Sequence, residues 1–559
     1  MERIPLLEKM IPRYQYGRFT CPRFAGDAGM KATKTELIRL ARLVQPDIAR
    51  DHVSKNALQA VEVLSDYQNA AVDLLDLALE EAIKNDKSLF DSFGFLFSQS
   101  LEALRFDIES GYRTASELAE CARKRLITAS KAGAVSPSAL LLLIQCFGSA
   151  KLDPGQDLRR VVENLLEEIS HANADNLKPA DTDLSGLVAD LVKQTDGDPF
   201  ALHSVLGESL EGMPDDYRVL LTTTFLFSGE PAAAEASIGW LLDPAAAVRQ
   251  ALANALEDAA RKDKVTPTML RRMIAMRNWL PQDNRPALDA SIATARRKGV
   301  QPAQWDDVEV RQLVCTGVDG SGAIGVLAHS HNKRKNVLGS LVLKLGIGVR
   351  DAWAQEGVKT KEIEQAFFET SLMDQFAVPT EFIRIAVGHF LALGHRTGSM
   401  PPFGLLQFLE AVGLSSAQPE LMNATSLLEV IRPEHAIAAN QLERLLAGGS
   451  DLAEDYAFLD SWFEVGDEVD AALIGSRCTR KKREALILER VVEPRREWWA
   501  QSAAWTAYIL NAAGNDERWQ EFYAAALAIV QERPVRKIPL LKLVAEQTVL
   551  ALESRQIAA

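Results

Sequence analysis

Two histidines stand close to a cluster of basic residues between two apolar runs of the chain. His329 and His331 are two positions apart, so in a β-strand both side chains would point to the same face. They could then contact one metal ion, but a zinc site requires three or four ligands. No further ligand is evident beside them in the sequence, and we predict no metal site.

The basic residues Lys333, Arg334 and Lys335 follow in what we predict to be an exposed turn. The chain has a formal net charge of −14, so a basic turn would be a local positive feature for an acidic partner. Together with His329 and His331, these residues form our candidate site for binding a protein partner. The alternative is that the three basic residues only keep an exposed turn soluble.

Two glycine-containing segments flank this region. Asp319-Gly320-Ser321-Gly322 could hold a phosphate, but it lacks the G-x-x-x-x-G-K-[ST] pattern, and Asp-Gly is a strong hairpin-turn signal. Gly346-Ile347-Gly348 lacks the third glycine of a dinucleotide fingerprint. We therefore predict a turn at 319–322, a break at Gly346 and no bound cofactor.

The sequence gives little support for nucleophilic catalysis. It contains no G-x-S-x-G nucleophile elbow. Cys315 lies in a predicted strand and is typical of a buried thiol rather than a nucleophile. We assign no catalytic residue and favour a protein that is not an enzyme. One enzymatic alternative stays open, a site at the predicted β insert with Asp319 and His329 as the groups to test.

Two tryptophans follow two arginines near the C-terminal end. Trp498 and Trp499 beside Arg495 and Arg496 could stack on nucleic-acid bases. The alternative is that the tryptophans face the core and the arginines cover their edges, and this is the interpretation we favour.

The elements that position these residues are mainly helices, and the clearest lie between Pro231 and Lys298. Pro231 suits the first position of a helix, because its missing N–H would be unpaired there. Asp243-Pro244 then breaks this helix and offers a cap and a first-position proline to the next one. The next helix has a stripe of apolar and small residues: Val248, Ala251, Leu252, Ala255, Leu256 and Ala259.

This helical pair is echoed further along the chain. Trp240 in the first pair corresponds to Trp279 in the second, 39 residues later. A helix–turn–helix period of about 40 residues is typical of HEAT and armadillo repeats. Asp243-Pro244 followed by Val248-Arg249 resembles a HEAT repeat, and the resemblance covers residues 231–298. An ordinary helical bundle with a chance echo is the alternative.

The resemblance implies stacked helical pairs with a long concave surface, which suits an extended protein partner. Some HEAT-like proteins, such as the HEAT-like DNA glycosylases, hold DNA in a basic groove, so a nucleic-acid-binding role is an alternative. Its candidate residues are Arg271, Arg272 and Arg277, beside Trp279. The net charge of −14 argues against this role, because phosphate contact favours a basic surface.

Composition and targeting signals favour a cytoplasmic protein. The chain is 47% hydrophobic and 25% charged, which is typical of a soluble globular protein. We find no transmembrane run and no apolar segment of a secretory signal at the N-terminus, so we expect no membrane association. The five cysteines are scattered, odd in number and never in a C-x-x-C, which indicates free thiols in a reducing compartment.

We therefore predict a mainly α fold of HEAT-like helical-repeat (α-solenoid) architecture, with a small antiparallel β insert near 308–345. A longer irregular loop is the alternative to that insert. The predicted parts are an irregular N-terminal arm at 1–33, an N-terminal helical region at 34–170, a polar linker with a weak helix at 171–199, HEAT-like helical pairs at 200–300, the β insert at 305–350 and a C-terminal helical region at 359–559. The predicted function is that of a non-enzymatic scaffold or protein-interaction protein.

Overall fold

The computed structural model describes residues 31–50, 54–64, 67, 69–84, 89–174, 184–210, 213–333, 335–431, 439–473, 479–514 and 518–558. These residues are mainly helical and include one small antiparallel sheet, which confirms the predicted mainly α fold with a β insert. The chain divides into two compact units, Met1–Leu221 with Glu553–Ala559, and Thr222–Leu552. The predicted N-terminal arm lies outside the described residues except at 31–33, as do residues 175–183 of the predicted linker.

The described part of the first unit is built from helices. One of them shows how local signals set a boundary: Ser136 Oγ accepts a hydrogen bond from the Ala139 N–H, and Pro137 takes the first helical position. The uncharged run that follows is a buried helix, with Phe147 packed edge-on against Phe97. The helices of this unit are Lys34–Arg50, Lys55–Leu64, Ala70–Lys84, Phe90–Glu109, Arg113–Ala132, Pro137–Ser149, Gly155–Ala174, Leu184–Gln194 and Pro199–Leu210.

The second unit begins with helical pairs. The break at Asp243-Pro244 is present, but the next helix begins at Ala246, because Ala245 is still extended (φ −80°, ψ 125°). The prediction that Pro244 is its first residue was wrong: Asp243 Oδ1 accepts the Ala245 N–H at 2.7 Å and closes a turn before the helix. The helices are Asp215–Phe227, which spans the unit boundary, Pro231–Ser237, Ala246–Arg261, Pro267–Met276 and Arg285–Arg297, with 3-10 turns at Ile238–Leu242, Arg277–Trp279 and Gln282–Asn284.

The second helices of the two pairs, Ala246–Arg261 and Arg285–Arg297, pack against each other. Ser291 stands where the preceding pair has a small apolar residue, yet it is fully buried, and its hydroxyl donates to the Ala253 carbonyl at 2.7 Å. Arg249 donates to the Asp243 carbonyl and, at 3.0 Å, to Asn284 Oδ1, which ties together the turns of the two pairs. Small residues and one shared arginine therefore hold the pairs at close distance.

The predicted β insert is a five-stranded sheet rather than a loop. Its strands are β1 (Val308–Thr316), β2 (Ala323–Asn332), β3 (Lys335–Lys344), β4 (Gly348–Glu356) and β5 (Gln375–Ala377), in the order β4-β3-β2-β1-β5 with antiparallel neighbours throughout. The sheet extends past the predicted end at 345, and the helix Thr360–Ser371 lies between β4 and β5. The sequence did not indicate β4 because Arg350 and Asp351 interrupt its apolar pattern.

Helices cover one face of the sheet. Phe408 lies over Gly339 of β3, and Ser330 Oγ of β2 donates to the Ala411 carbonyl at 2.6 Å. Gly404 approaches β4 so closely that a Cβ there would lie 1.9 Å from the Ala352 carbonyl oxygen, so only glycine fits this contact.

The rest of the second unit is helical, and aromatic side chains fill its core. Trp462, Trp499 and Phe522 are fully buried and in ring contact. None of the described helices combines the length and the apolar character that crossing a bilayer requires. The helices are Thr380–Thr397, Gly404–Ala411, Ala424–Val430, Ala439–Gly448, Leu452–Asp455, Asp467–Leu473, Arg480–Ile487, Arg496–Ala513, Trp519–Val530 and Pro539–Ala558, with short helical turns at Ala457–Ser461, Leu488–Val492 and Val535–Lys537. The last of these helices spans the unit boundary.

Candidate functional site

The predicted partner-binding residues lie at the β2–β3 hairpin. Asn332 pairs with Lys335 at the end of the hairpin, and Lys333 lies in the turn that follows Asn332, whereas Arg334 lies outside the described residues. His329 and His331 share one face of β2, with their ring centroids 5.3 Å apart. His329 Nε2 lies 3.3 Å from Asn336 Oδ1. Among the described residues, no group of three or more histidine, cysteine, aspartate or glutamate side chains is placed to hold a metal ion.

The described lysines of this turn are paired with acidic residues. Lys333 Nζ lies 2.7 Å from Asp306 Oδ1, and Lys335 Nζ lies 3.2 Å from Glu356 Oε2. The hydrogen bond from Lys333 holds the pKa of the Asp306 carboxyl below its usual value. All four side chains are exposed, so these ion pairs are weakly held and open to exchange with other carboxylates. The turn is therefore less positive than the sequence suggested.

The arginines of the nucleic-acid alternative are also paired inside the chain. Arg272 donates two hydrogen bonds to Glu410 and one to Glu235, each 3.1 Å long. Arg271 donates to Glu410 at 3.0 Å and stacks on Trp305. These contacts fasten the helical pairs to the helix Gly404–Ala411, and phosphates would have to displace them.

The third arginine and its neighbouring tryptophan are likewise occupied. Arg277 forms two hydrogen bonds of 2.6 Å with the Asp289 carboxylate. Trp279 is fully buried, and its indole N–H donates to the Ala417 carbonyl at 3.0 Å, so this ring cannot stack on a base. The four residues of the alternative thus have internal partners, which disfavours nucleic-acid binding through them.

The glycine-rich segment at 319–322 is a turn between β1 and β2, as predicted. Asp319 Oδ1 accepts hydrogen bonds from the Ala323 N–H and the Ser321 hydroxyl, both at 2.8 Å. Burial raises the pKa of Asp319, and these hydrogen bonds oppose that rise. The Gly320 N–H donates to Ser461 Oγ at 2.8 Å, and a Cβ on Gly320 would lie 1.6 Å from the Ser461 carbonyl oxygen. This turn is packed against the C-terminal helical part and does not present its Gly320 amide to a phosphate.

The enzymatic alternative named Asp319 and His329 as groups to test. Asp319 precedes the first residue of β2, whereas His329 lies near the strand's other end. Six residues of strand from Ala323 to His329 span about 20 Å, so the two side chains do not form one catalytic group. Cys315 is fully buried, and burial raises the pKa of its thiol, as expected of a structural cysteine.

The structure also contains a buried acid, Glu464, that was not identified from the sequence. The Glu464 carboxylate accepts the indole N–H of Trp499 at 2.7 Å and forms an ion pair with Arg495. Burial raises its pKa, and the Arg495 charge partly offsets that effect. The Arg495 guanidinium also lies over the face of the Trp498 ring, 4.9 Å from its centroid, and not along its edge as we expected. No local signal in the sequence could have linked Glu464 with Arg495, since 31 residues separate them.

His389 is a second group whose contacts were not identified from the sequence. It is buried, and its Nδ1 accepts the Met422 N–H at 3.0 Å, while its ring packs on Trp505. Burial lowers the pKa of His389 to about 4, so the ring stays neutral at neutral pH. The nearby His395 contacts the Trp279 carbonyl at 2.6 Å through Nε2, so both histidines serve contacts within the fold.

We expect His389 to make folding sensitive to acid. Its ordinary pKa of 6.5 exceeds the folded value of about 4, so the unfolded chain takes up the proton first. Stability from this group is complete above pH 6.5 and is lost as the pH falls towards 4. The free energy of unfolding should drop by about 2 kcal/mol between pH 7 and pH 5 from this residue alone.

The measurement compares urea unfolding of the wild type with that of His389→Asn at several pH values. The asparagine Oδ1 can accept the Met422 N–H in place of Nδ1, but it does not titrate. Glu464 changes the free energy of unfolding with pH in the opposite direction, and it does so in both proteins. The difference between their pH profiles of the free energy of unfolding therefore reports on His389. Identical profiles for the two proteins would contradict a neutral buried histidine.

Two exposed apolar side chains, Phe368 and Leu372, were also not identified from the sequence. The helix Thr360–Ser371 buries Phe367 and exposes Phe368, and Leu372 directly after the helix is exposed as well. The adjacent phenylalanines could have indicated this exposure. Neighbouring positions on a helix point about 100° apart, so the two rings cannot both face the core.

Comparisons with known proteins match two helical parts of the chain. Residues 214–299 match the family described as "Y4lR second domain", and residues 425–553 match "Y4lR C-terminal helical domain". The sheet lies between these segments. The chain is similar to "Uncharacterized protein y4lR" of Sinorhizobium fredii (strain NBRC 101917 / NGR234), with 27% identity over 467 residues, covering 81% of this chain and 87% of the relative. No solved structure matches the chain.

Proposed function

We propose that the protein is a non-enzymatic interaction scaffold in which HEAT-like helical pairs and a C-terminal helical part carry the sheet between them. The observation that supports this most is the set of contacts that fix the sheet and its covering helices on both sides. On one side Arg272 binds Glu410, and on the other the Trp462 indole N–H donates to the Val318 carbonyl at 2.7 Å. A firmly held sheet gives its exposed hairpin a fixed orientation towards a partner, at little cost in ordering on binding.

The surface proposed for the partner is the β2–β3 hairpin with His329, His331, Lys333, Arg334 and Lys335. Its lysines are exposed and make only solvent-exposed ion pairs, which contribute about 0–1 kcal/mol each. Carboxylates of an acidic partner could replace Asp306 and Glu356 without breaking a buried contact. The chemistry of the turn therefore favours an acidic protein segment as the partner.

Reversing the charge of this turn should remove the partner and leave the fold intact. In the variant Lys333→Glu/Arg334→Glu/Lys335→Glu, we expect the thermal unfolding midpoint to stay nearly unchanged, because exposed substitutions change stability by about 0.5 kcal/mol or less. The partner should be lost from affinity purifications of the tagged protein from its source cells, quantified by mass spectrometry.

A matched control carries the same change in net charge elsewhere. Arg261→Glu/Lys262→Glu/Lys264→Glu alters three exposed basic residues at the end of the helix Ala246–Arg261. This control should keep the partner. If the hairpin variant retains every protein that the wild type retains, the hairpin is not the interaction surface.

A further inference from the structure

The helix Thr360–Ser371 packs on the rest of the second unit through one side only. Its residues Ile363, Ala366 and Phe367 are buried. Phe368 is 62% exposed and Leu372 is 67% exposed, the two largest values among the exposed large hydrophobic side chains of the described residues. They are four positions apart, so they are neighbours on the outer side of this helical segment.

Large exposed apolar side chains that are adjacent on a rigid element are typical of binding surfaces. The core does not require Phe368, since Phe367 already occupies the inward position of that turn. Burying a phenylalanine and a leucine against a partner would remove their apolar surface from water, which favours association. This pair has the size and placement of the apolar centre of an interface.

The charges around the pair indicate which partner fits. The helix contains Glu362, Glu364 and Glu369 but only one lysine, Lys361. Glu364 lies one turn before Phe368 on the same side and is exposed. A second copy of the chain would bring equally acidic helices together, within a protein of net charge −14. Charge complementarity therefore favours a basic occupant over self-association.

We propose that Phe368 and Leu372 form the apolar centre of a docking site for a basic amphipathic helix of a partner protein. The apolar face of that helix covers the pair, and its lysines or arginines face Glu362 and Glu364. This inference rests on the proposed role as an interaction protein, but it uses a different surface from the β2–β3 hairpin.

The test uses three fluorescent synthetic helices of about 18 residues, long enough to be helical when bound. The first has an apolar face and lysines elsewhere, the second has glutamates in place of the lysines, and the third has serines in place of the apolar residues. Fluorescence anisotropy with the full chain should show binding of the first peptide about tenfold tighter than of the other two, which corresponds to about 1.4 kcal/mol.

Two variants of the protein locate the binding site. Phe368→Ser/Leu372→Ser should weaken binding of the first peptide by about tenfold or more, as truncating an apolar anchor does. Ile83→Ser/Val430→Ser removes two other exposed apolar side chains, of 56% and 52% exposure, and should not change binding. Thermal unfolding of both variants checks that the fold is kept.

Several outcomes would overturn the inference. They are no measurable binding of the first peptide, equal binding of the serine peptide, or equal binding by the Phe368/Leu372 variant. Sedimentation that reveals wild-type self-association abolished by the same variant would assign the surface to a second copy. Failure of this site leaves the hairpin experiment unaffected, so the two proposals can fail separately.

Discussion

Replacing Leu252 by alanine should lower the free energy of unfolding of the second unit by about 2–5 kcal/mol, the usual cost of truncating a buried leucine. Leu252 is 1% exposed and lies on the inner stripe of the helix Ala246–Arg261, which packs against Arg285–Arg297. The loss combines the transfer free energy of the removed methyl groups with the cavity left between the helices. Asn254→Ala, at an exposed position of the same helix, should cost about 0.5 kcal/mol or less.

Tryptophan fluorescence during urea unfolding is a selective measurement for this prediction. All 9 tryptophans of the chain lie between Trp240 and Trp519, so the signal reports on the second unit only. This matters because a chain of two units need not unfold in one transition. A loss below about 1 kcal/mol for Leu252→Ala would contradict its enclosure between the helical pairs.

Replacing Arg272 by methionine should cost about 3 kcal/mol, because it leaves two partly buried carboxylates, 20% and 19% exposed, without this partner. The Arg272 side chain is only 8% exposed, and it holds Glu235 together with both oxygens of Glu410. Arg271 remains beside Glu410 in this variant, which keeps the loss below that of a completely isolated buried charge. The methionine side chain is apolar and similar in length to the aliphatic part of arginine. The change therefore removes mainly the ionic contacts.

The matched control is Arg277→Met. Arg277 also forms a bidentate ion pair, with Asp289. Its side chain is 38% exposed, however, and that of Asp289 is 43% exposed. Solvent screens such a pair, so the expected loss is below about 1 kcal/mol. Equal losses in the two variants would show that burial does not distinguish these pairs.

The same two variants address the nucleic-acid alternative. If Arg271, Arg272 and Arg277 held phosphates, the wild type would bind DNA with a steep salt dependence, and Arg277→Met would reduce that slope by about one. We expect no such binding through these residues, since their guanidinium groups already have carboxylate partners. Gel-shift measurements at two salt concentrations decide this point.

The candidate site was predictable only in its position along the chain. The sequence placed His329, His331 and the basic turn in a hairpin, and the β2–β3 pairing agrees with that. It could not show that Lys333 meets Asp306, because that aspartate lies on the other side of β1 in the sequence. It also overlooked Phe368 and Leu372, since periodicity finds the buried side of a helix and does not measure what stays exposed.

The sequence by itself determined the local structure: the apolar stripe of the helix Ala246–Arg261, the break at Asp243-Pro244 and the turn at 319–322. These features depend on side-chain periods of two or 3.6 residues and on the backbone preferences of proline and glycine, which neighbouring residues decide. The HEAT-like resemblance of residues 231–298 stays a prediction. Only the tertiary structure decided that Arg272 binds Glu410, 138 residues away, and that Glu464 and His389 are buried. Such contacts arise when distant segments exclude water together, and no local pattern of residues encodes which segments those are.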